Sequence, residues 1–275
     1  GGTSQTMTLS IILPAKNESA SLGDLLSRIR QHLPAAELIL VDDGSTDATP
    51  RIALEHGAHV ISHPYSLGNG AAVKAGARAA SGEVLVFMDA DGQHDPADIP
   101  RLLEKLEAGY DMAVGARGKG SQASLGRGVA NAFYNWSASL MTGHRIDDLT
   151  SGFRAVDAAH FRRFIYLLPN GFSYPTTITM AFFRSGYPVG YVPNTASQRT
   201  AKSQSHIRPL RDGVRFLLIM FKVATLYSPL KLFFPVSAGF FFTGFGYYAY
   251  TYLTMGRFTN MSALLFTAAV IVFMM

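Results

Sequence analysis

Five short apolar runs, separated by segments of helical character, confine this chain to few architectures. Leu9–Leu13 (LSIIL) stops at Pro14, and Glu37–Val41 (ELILV), His59–Ser62, Val84–Met88 (VLVFM) and Met112–Val114 follow it. Runs this short and this apolar suit strands buried on both faces. Between them, Ser19–His32 carries Leu22, Leu25, Leu26 and Ile29 at helical spacing. Asp47 offers an N-cap to a helix over Ala48–His56, and Ala71–Ala80 and Pro100–Ala108 read as two more helices. Such alternation specifies an α/β fold with an open, mostly parallel sheet and helices on both faces. Ligands bind such sheets beyond the carboxyl ends of the strands.

Three of those ends are acidic. Pro14-Ala15-Lys16-Asn17-Glu18 follows the first run, Asp42-Asp43-Gly44-Ser45 the second, and Asp89-Ala90-Asp91 the fourth. Two carboxylates one residue apart at the end of a buried strand repel each other unless a cation neutralises them. Oxygen donors of this kind favour Mg²⁺ or Mn²⁺, which keep positions open for substrate phosphates. Each motif alone has a plainer reading: capping aspartates before Pro96, a strand-to-helix turn, a helix-entry loop. Three acidic ends on one sheet edge point instead to a site for a nucleotide diphosphate and a metal.

Charge divides the chain unevenly. Through residue 198 there are 16 basic and 18 acidic side chains, from Arg199 to Lys231 seven basic and one acidic, and after Lys231 only Arg257. This order argues against a nucleic-acid binder, whose basic residues would lie on the folded domain. The absence of cysteine removes disulfides, thiol catalysis and Cys-ligated zinc. Leu9–Leu13 is too short for a signal peptide and has no basic leader. Leu232–Gly256 is 25 residues without a formal charge, with Tyr247, Tyr248, Tyr250 and Tyr252 near its far end. That pattern predicts a transmembrane helix, and Met261–Met275 reads as the start of a second one, cut short. In Arg208–Tyr227, Arg208, Arg211, Arg215 and Lys222 fall within roughly 60° on a helical wheel beside the apolar Phe216–Phe221. A basic stripe on an apolar helix suits an anionic headgroup layer, with the globular part on the cytoplasmic face of the membrane.

The motifs Pro-Ala-Lys-Asn-Glu, Val-Asp-Asp-Gly-Ser, Met-Asp-Ala-Asp-Gly-Gln-His and Leu-Thr-Ser-Gly-Phe occur here in the order found in inverting family 2 glycosyltransferases of the GT-A fold. Over roughly Leu9 to Pro209 the chain most resembles the dolichyl- and polyprenyl-phosphate sugar synthases of that family. The resemblance implies a GT-A catalytic domain over residues 7–198, a basic acceptor loop and interfacial helix over 199–231, and a transmembrane region over 232–275. It implies a membrane-bound enzyme moving a hexose from a GDP- or UDP-sugar to a polyprenyl or dolichyl phosphate, with Mg²⁺ or Mn²⁺, and possible self-association through the membrane helices. Pro14, Ala15, Asn17, Glu18, Asp42, Asp43, Asp89, Ala90 and Lys202 match the nucleotide-sugar positions, and Asp89, Asp91 and Gln93 the metal site. Arg117, Arg127, Asn131, Arg199 and Lys202 match positions for the acceptor phosphate, and Asp91, Gln93, Arg117 and Arg127 would carry the chemistry. A phosphate dianion needs no general base, so Asp148 is expected to orient an arginine. The 199–206 loop lacks the glycine of the family's pattern.

Other motifs carry less. Gly68-Asn-Gly70 near Gly76 does not follow the first strand, so it reads as a donor loop and not a dinucleotide fingerprint. His56, His59 and His63 are split by a turn and a strand with no acid joining them, which suggests scattered surface histidines. The Gln-x-x-Arg-Trp motif of processive polysaccharide synthases is absent, and Trp136 is the sole tryptophan. A nucleotidyltransferase would have no use for the apolar tail, and a non-catalytic membrane adaptor would have no use for Asp89, Asp91 and Gln93 together.

Overall fold

A computed structural model describes residues 7–117, 125–171, 173–194, 218, 221, 225 and 229–275. The chain divides into two compact units, Gly1–His206 and Ile207–Met275.

The first unit is built on β1 (Leu9–Ala15), β2 (Glu37–Asp42), β3 (His59–Ser62), β4 (Val84–Phe87), β5 (Met112–Arg117), β6 (Arg154–Asp157) and β7 (Val189–Asn194). Its helices are α1 (Ser19–His32), α2 (Thr49–Glu55), α3 (Asn69–Ala79), α4 (Ile99–Glu107), α5 (Leu125–Thr142), α6 (Ala158–Arg163) and α7 (Tyr174–Arg184). The strands form one sheet in the order β3-β2-β1-β4-β6-β5-β7. Within it β1, β2, β3 and β4 pair in parallel, as do β5 and β7, while β6 runs antiparallel between β4 and β5. The five expected strands are all present. The expectation of a mostly parallel sheet holds with that one reversal.

Alternate strand residues feed two cores, as the period of two requires. Ile11, Leu13, Leu38, Leu40 and Val86 face Leu22, Leu26, Ile29 and Leu102 of α1 and α4. Ile12, Ile39, Val41, Leu85 and Phe87 face the small residues of α3 and Phe161, Ile178 and Phe182 of α6 and α7. Helix α3 lies close against the sheet because Gly76 has no side chain: a Cβ there would come within 2.4 Å of Ile12 Cγ2.

The second unit contains α8 (Pro229–Met255, 27 residues) and α9 (Asn260–Met274, 15 residues), joined by a short turn. Ser237 Oγ donates to Ala269 O at 2.7 Å and a Cβ on Gly244 would touch Leu265, so the two helices lie side by side. Here the sequence expectation is corrected. Among the described residues no helix is long and apolar enough to cross a membrane. Helix α8 has the length, but Lys231, Pro235, four tyrosines and interspersed Gly, Ser and Thr dilute its apolar character. The expected transmembrane pair, the integral-membrane location with a cytoplasmic catalytic face, the bilayer partner and self-association through membrane helices fall with it. The basic segment from Arg199 to Arg215, Lys222 included, lies outside the described residues.

Gly76→Ala should destabilise the first unit by about 1–3 kcal/mol through overpacking. The urea midpoint should fall at unchanged slope, and an unaltered midpoint would contradict the close approach of α3 to β1.

Candidate active site

Two loops at the carboxyl edge of the sheet are stitched together before any ligand arrives. Asn17 adopts φ +56°, a left-handed conformation that asparagine tolerates better than most residues. Its N–H donates to Ser45 Oγ at 3.0 Å, and its Oδ1 accepts from Thr46 N at 2.8 Å. Glu18 N donates to Thr49 Oγ1 at 2.9 Å and Ser19 N to Asp47 Oδ2 at 3.1 Å. Asp47 also accepts from Thr49 N at 3.0 Å, but Ala48, not Asp47, occupies the N-cap position of α2. Burial raises the Asp47 carboxyl, and the hydrogen bonds from Thr49 and Ser19 overcome this and hold it at about 2.

Asp43 organises a third loop. Its carboxylate accepts from Ser66 Oγ at 2.6 Å, Leu67 N at 2.8 Å and Gly68 N at 3.0 Å, and meets His63 Nδ1 at 2.8 Å. Burial again raises the group, and these four partners, His63 first, bring it down to about 2. His63 is therefore not a stray surface histidine: an acid does join it, across 20 residues of sequence.

The Asp89-Ala90-Asp91 turn leaves β4 beside β6. Because Phe87 pairs with Arg154 in antiparallel register, Asp89 comes opposite Gly152. A Cβ on Gly152 would lie 3.4 Å from Asp89 Oδ2. Ser21 Oγ holds Ala90 O at 3.0 Å, and Gly92 takes φ +74°, letting Gln93 N turn back onto Asp91 Oδ1 at 3.0 Å.

Together these loops wall a cavity of about 400 Å³ lined by Pro14, Ala15, Lys16, Glu18, Asp43, Ser66, Gly68, Asn69, Ala72, Asp89, Ala90 and Asp91. Among the described residues four acidic residues, Glu18, Asp43, Asp89 and Asp91, line it against one basic residue, Lys16. A diphosphate entering alone would meet net negative charge, so the lining favours a ligand accompanied by a divalent cation. Asp89 and Asp91 are hard oxygen donors on one turn and fit Mg²⁺ or Mn²⁺ that takes its remaining ligands from phosphates and water. Among the described residues no group of three or more His, Cys, Asp or Glu is placed to hold a metal ion.

Of the residues expected at the site, Pro14, Ala15, Glu18, Asp43, Asp89, Ala90 and Asp91 line this cavity, whereas Asn17, Asp42 and Gln93 are not in its wall. Asn17 is engaged in bracing, and Asp42 accepts from Ser45 N at 3.0 Å. The backbones of Arg117, Arg127 and Asn131 lie in β5 and α5, with their side chains outside the described set, and Arg199 and Lys202 lie outside it altogether. Sequence reasoning missed Lys16, Ser66 and Ala72 in the wall. Gly68 and Asn69 do border the cavity, but the first donors of α3 are already taken: Gly70 N reaches Gly171 O at 3.3 Å and Ala71 N reaches Asn170 O at 2.9 Å.

Arg154 was also missed. It is fully buried, and its guanidinium donates to Ser151 O from both Nε (3.2 Å) and Nη2, and from Nη1 to Pro175 O (3.3 Å) and Thr179 Oγ1 (3.0 Å). Burial lowers its pKa, and Tyr174, Tyr191 and Asp148 oppose that shift. Asp148 thus acts electrostatically on an arginine, while its Oδ1 accepts from Thr150 N and Ser151 N at 3.0 and 3.1 Å. Tyr174 OH donates to Gly152 O at 3.1 Å, closing the support behind Asp89.

The sequence model described as Glycosyl transferase family 2 matches residues 10–167, and one described as GtrB C-terminal hairpin matches residues 228–275. Glycosyltransferase AglJ of Haloferax volcanii is 30% identical over 251 residues, covering 88% of this chain and 82% of that protein. The undecaprenyl-phosphate mannosyltransferase of Micrococcus luteus is 31% identical, covering 70% of this chain and 85% of that protein. The polyprenol monophosphomannose synthase of Mycolicibacterium smegmatis is 31% identical over 78% of this chain and 84% of its own. Among solved structures, glucosyl-3-phosphoglycerate synthase from Mycobacterium tuberculosis in complex with Mn²⁺ and uridine-diphosphate-glucose superposes with a TM-score of 0.62 at 22% identity, covering 78% of each chain. The shared architecture is the GT-A fold.

Asp43 yields a pH prediction. Its folded pKa of about 2 lies below the ordinary 3.8, so its contribution is present above pH 4 and is lost as pH falls toward 2. The shift corresponds to roughly 2 kcal/mol. Asp43→Asn should lower the urea midpoint at pH 7 and flatten its decline between pH 4 and 2. An unchanged acid profile would contradict the role given to Asp43.

Proposed function

The chain belongs to glycosyl transferase family 2 and is a glycosyltransferase, and from that premise we propose that its cavity binds a nucleoside-diphosphate sugar with a divalent cation and delivers the sugar to the phosphate of a polyprenyl phosphate. The observation that carries the donor half is the convergence of Glu18, Asp43, Asp89 and Asp91 on one cavity at the carboxyl edge of the sheet. The complex of the structural neighbour with Mn²⁺ and uridine-diphosphate-glucose supports the cation. The acceptor rests on the activities of the relatives from Micrococcus luteus and Mycolicibacterium smegmatis.

In this reading Asp89 and Asp91 hold the cation, and Pro14, Ala15 and Glu18 border the nucleoside. When bound, Mg²⁺ or Mn²⁺ neutralises charge on the departing diphosphate. An acceptor phosphate oxygen forms a bond to the anomeric carbon while the bond from that carbon to the diphosphate breaks, inverting the centre. The acceptor is already anionic at neutral pH, so no residue need remove a proton. Arg117 and Arg127 are proposed to orient it in line with the bond that breaks.

The test is transfer of labelled sugar from a panel of GDP- and UDP-sugars to polyprenyl phosphate in detergent, with Mn²⁺ or with EDTA. Transfer should occur from one donor and stop in EDTA, and Asp91→Asn should lower kcat by at least about 100-fold. Transfer that persists in EDTA and in Asp91→Asn would refute the metal site, and no transfer from any donor would refute the acceptor.

A further inference from the structure

His94 lies three residues beyond Asp91 and is held from two sides. Its ring stacks on Phe153 with centroids 5.0 Å apart and planes 16° from parallel. Its Nδ1 meets Asn194 Nδ2 at 3.0 Å, at the end of β7, where Asn194 pairs in register with Arg117. Both side chains are buried. The remaining ring nitrogen, Nε2, faces Asp89 Oδ2 at 3.8 Å, and the Asp89 side chain is 47% exposed while that of His94 is 8% exposed. No residue among those described donates a hydrogen bond to the Asp89 carboxylate.

The tautomer follows from the partners. A neutral imidazole carries one proton, and the nitrogen without it is an acceptor. With the Asn194 amide N–H directed at Nδ1, the proton belongs on Nε2, where it is attracted to Asp89. The opposite arrangement would bring a bare Nε2 lone pair toward a carboxylate. A separation of 3.8 Å is longer than a direct hydrogen bond, and a shift of about 1 Å by the exposed carboxylate closes it.

We propose that His94 is a positioning residue: fixed by Asn194 and Phe153 as the Nε2–H tautomer, it donates to one oxygen of Asp89 and turns the other toward the cation. A hydrogen-bonded carboxylate ligand is oriented before the metal arrives, and such outer partners contribute about 10–100-fold in metal affinity. The same contact ties the metal turn to the end of β7, beside the backbone of Arg117. This inference rests on the function proposed above.

Mn²⁺ binding in the presence of UDP or GDP, read from the electron paramagnetic resonance of the free ion, tests it on wild type, His94→Leu and His94→Gln. Leucine should weaken Mn²⁺ binding about 10–100-fold. Glutamine, which can still donate an N–H, should recover most of that loss. The apparent KM for Mn²⁺ in transfer should rise by a larger factor than kcat falls. Independently of any variant, nitrogen-15 NMR of the metal-free wild type should show the His94 proton on Nε2. Equal Mn²⁺ affinity in all three proteins, or a proton on Nδ1, would overturn the proposal and leave the proposed function standing. A wild type that binds no Mn²⁺ would overturn both.

Discussion

The antiparallel pairing of Phe87 with Arg154 is the constraint from which the rest of the site follows. Inserting β6 between β4 and β5 against the direction of its neighbours brings the Ser151–Phe153 segment across the end of β4. Gly152 then meets the Asp89 carboxylate, Phe153 meets the ring of His94, and Arg154 goes into the core. Burying a guanidinium costs several kcal/mol unless its donors are satisfied. Here carbonyls of Ser151 and Pro175, the Thr179 hydroxyl and the face of Tyr174 satisfy them. Locking Arg154 therefore locks the backbone that supports Asp89.

A second dependence runs through Asp43 and Asn17. Neither is needed to touch a ligand in order to shape the cavity: Asp43 folds the His63–Gly68 loop into a wall, and Asn17 fixes two strand-end loops to each other. The acidic edge is thus divided in labour. Asp42, Asp43 and Asp47 are spent on backbone donors, whereas Asp89 is half-exposed and faces the cavity with Asp91. Hydrogen bonds hold the Asp43 and Asp47 carboxyl groups at about 2, which keeps their loops intact at neutral pH.

Much of this was legible in the sequence. Strands β1 to β5 announce themselves as apolar runs, and the acidic residues that end three of them mark the edge that carries the cavity. What stayed hidden depends on contacts distant in sequence. Strand β6, Arg-Ala-Val-Asp, is four residues long with charges at both ends, and nothing local indicates that Arg154 is buried or that its strand is reversed. His63 needed Asp43, and His94 needed Asn194, 100 residues away. The tail misled in the other direction. An uncharged stretch looks like a membrane span by charge alone, but tyrosine, glycine and threonine carry no charge and little apolar character.

We propose that the acidic cavity at this sheet edge accepts a nucleoside diphosphate only together with a divalent cation. Titration calorimetry of UDP and GDP into the protein, once with Mn²⁺ and once with EDTA, tests it most directly. One nucleotide should bind in Mn²⁺, and EDTA should weaken its binding at least about 100-fold, or roughly 3 kcal/mol. Equal affinity in the two conditions would contradict it.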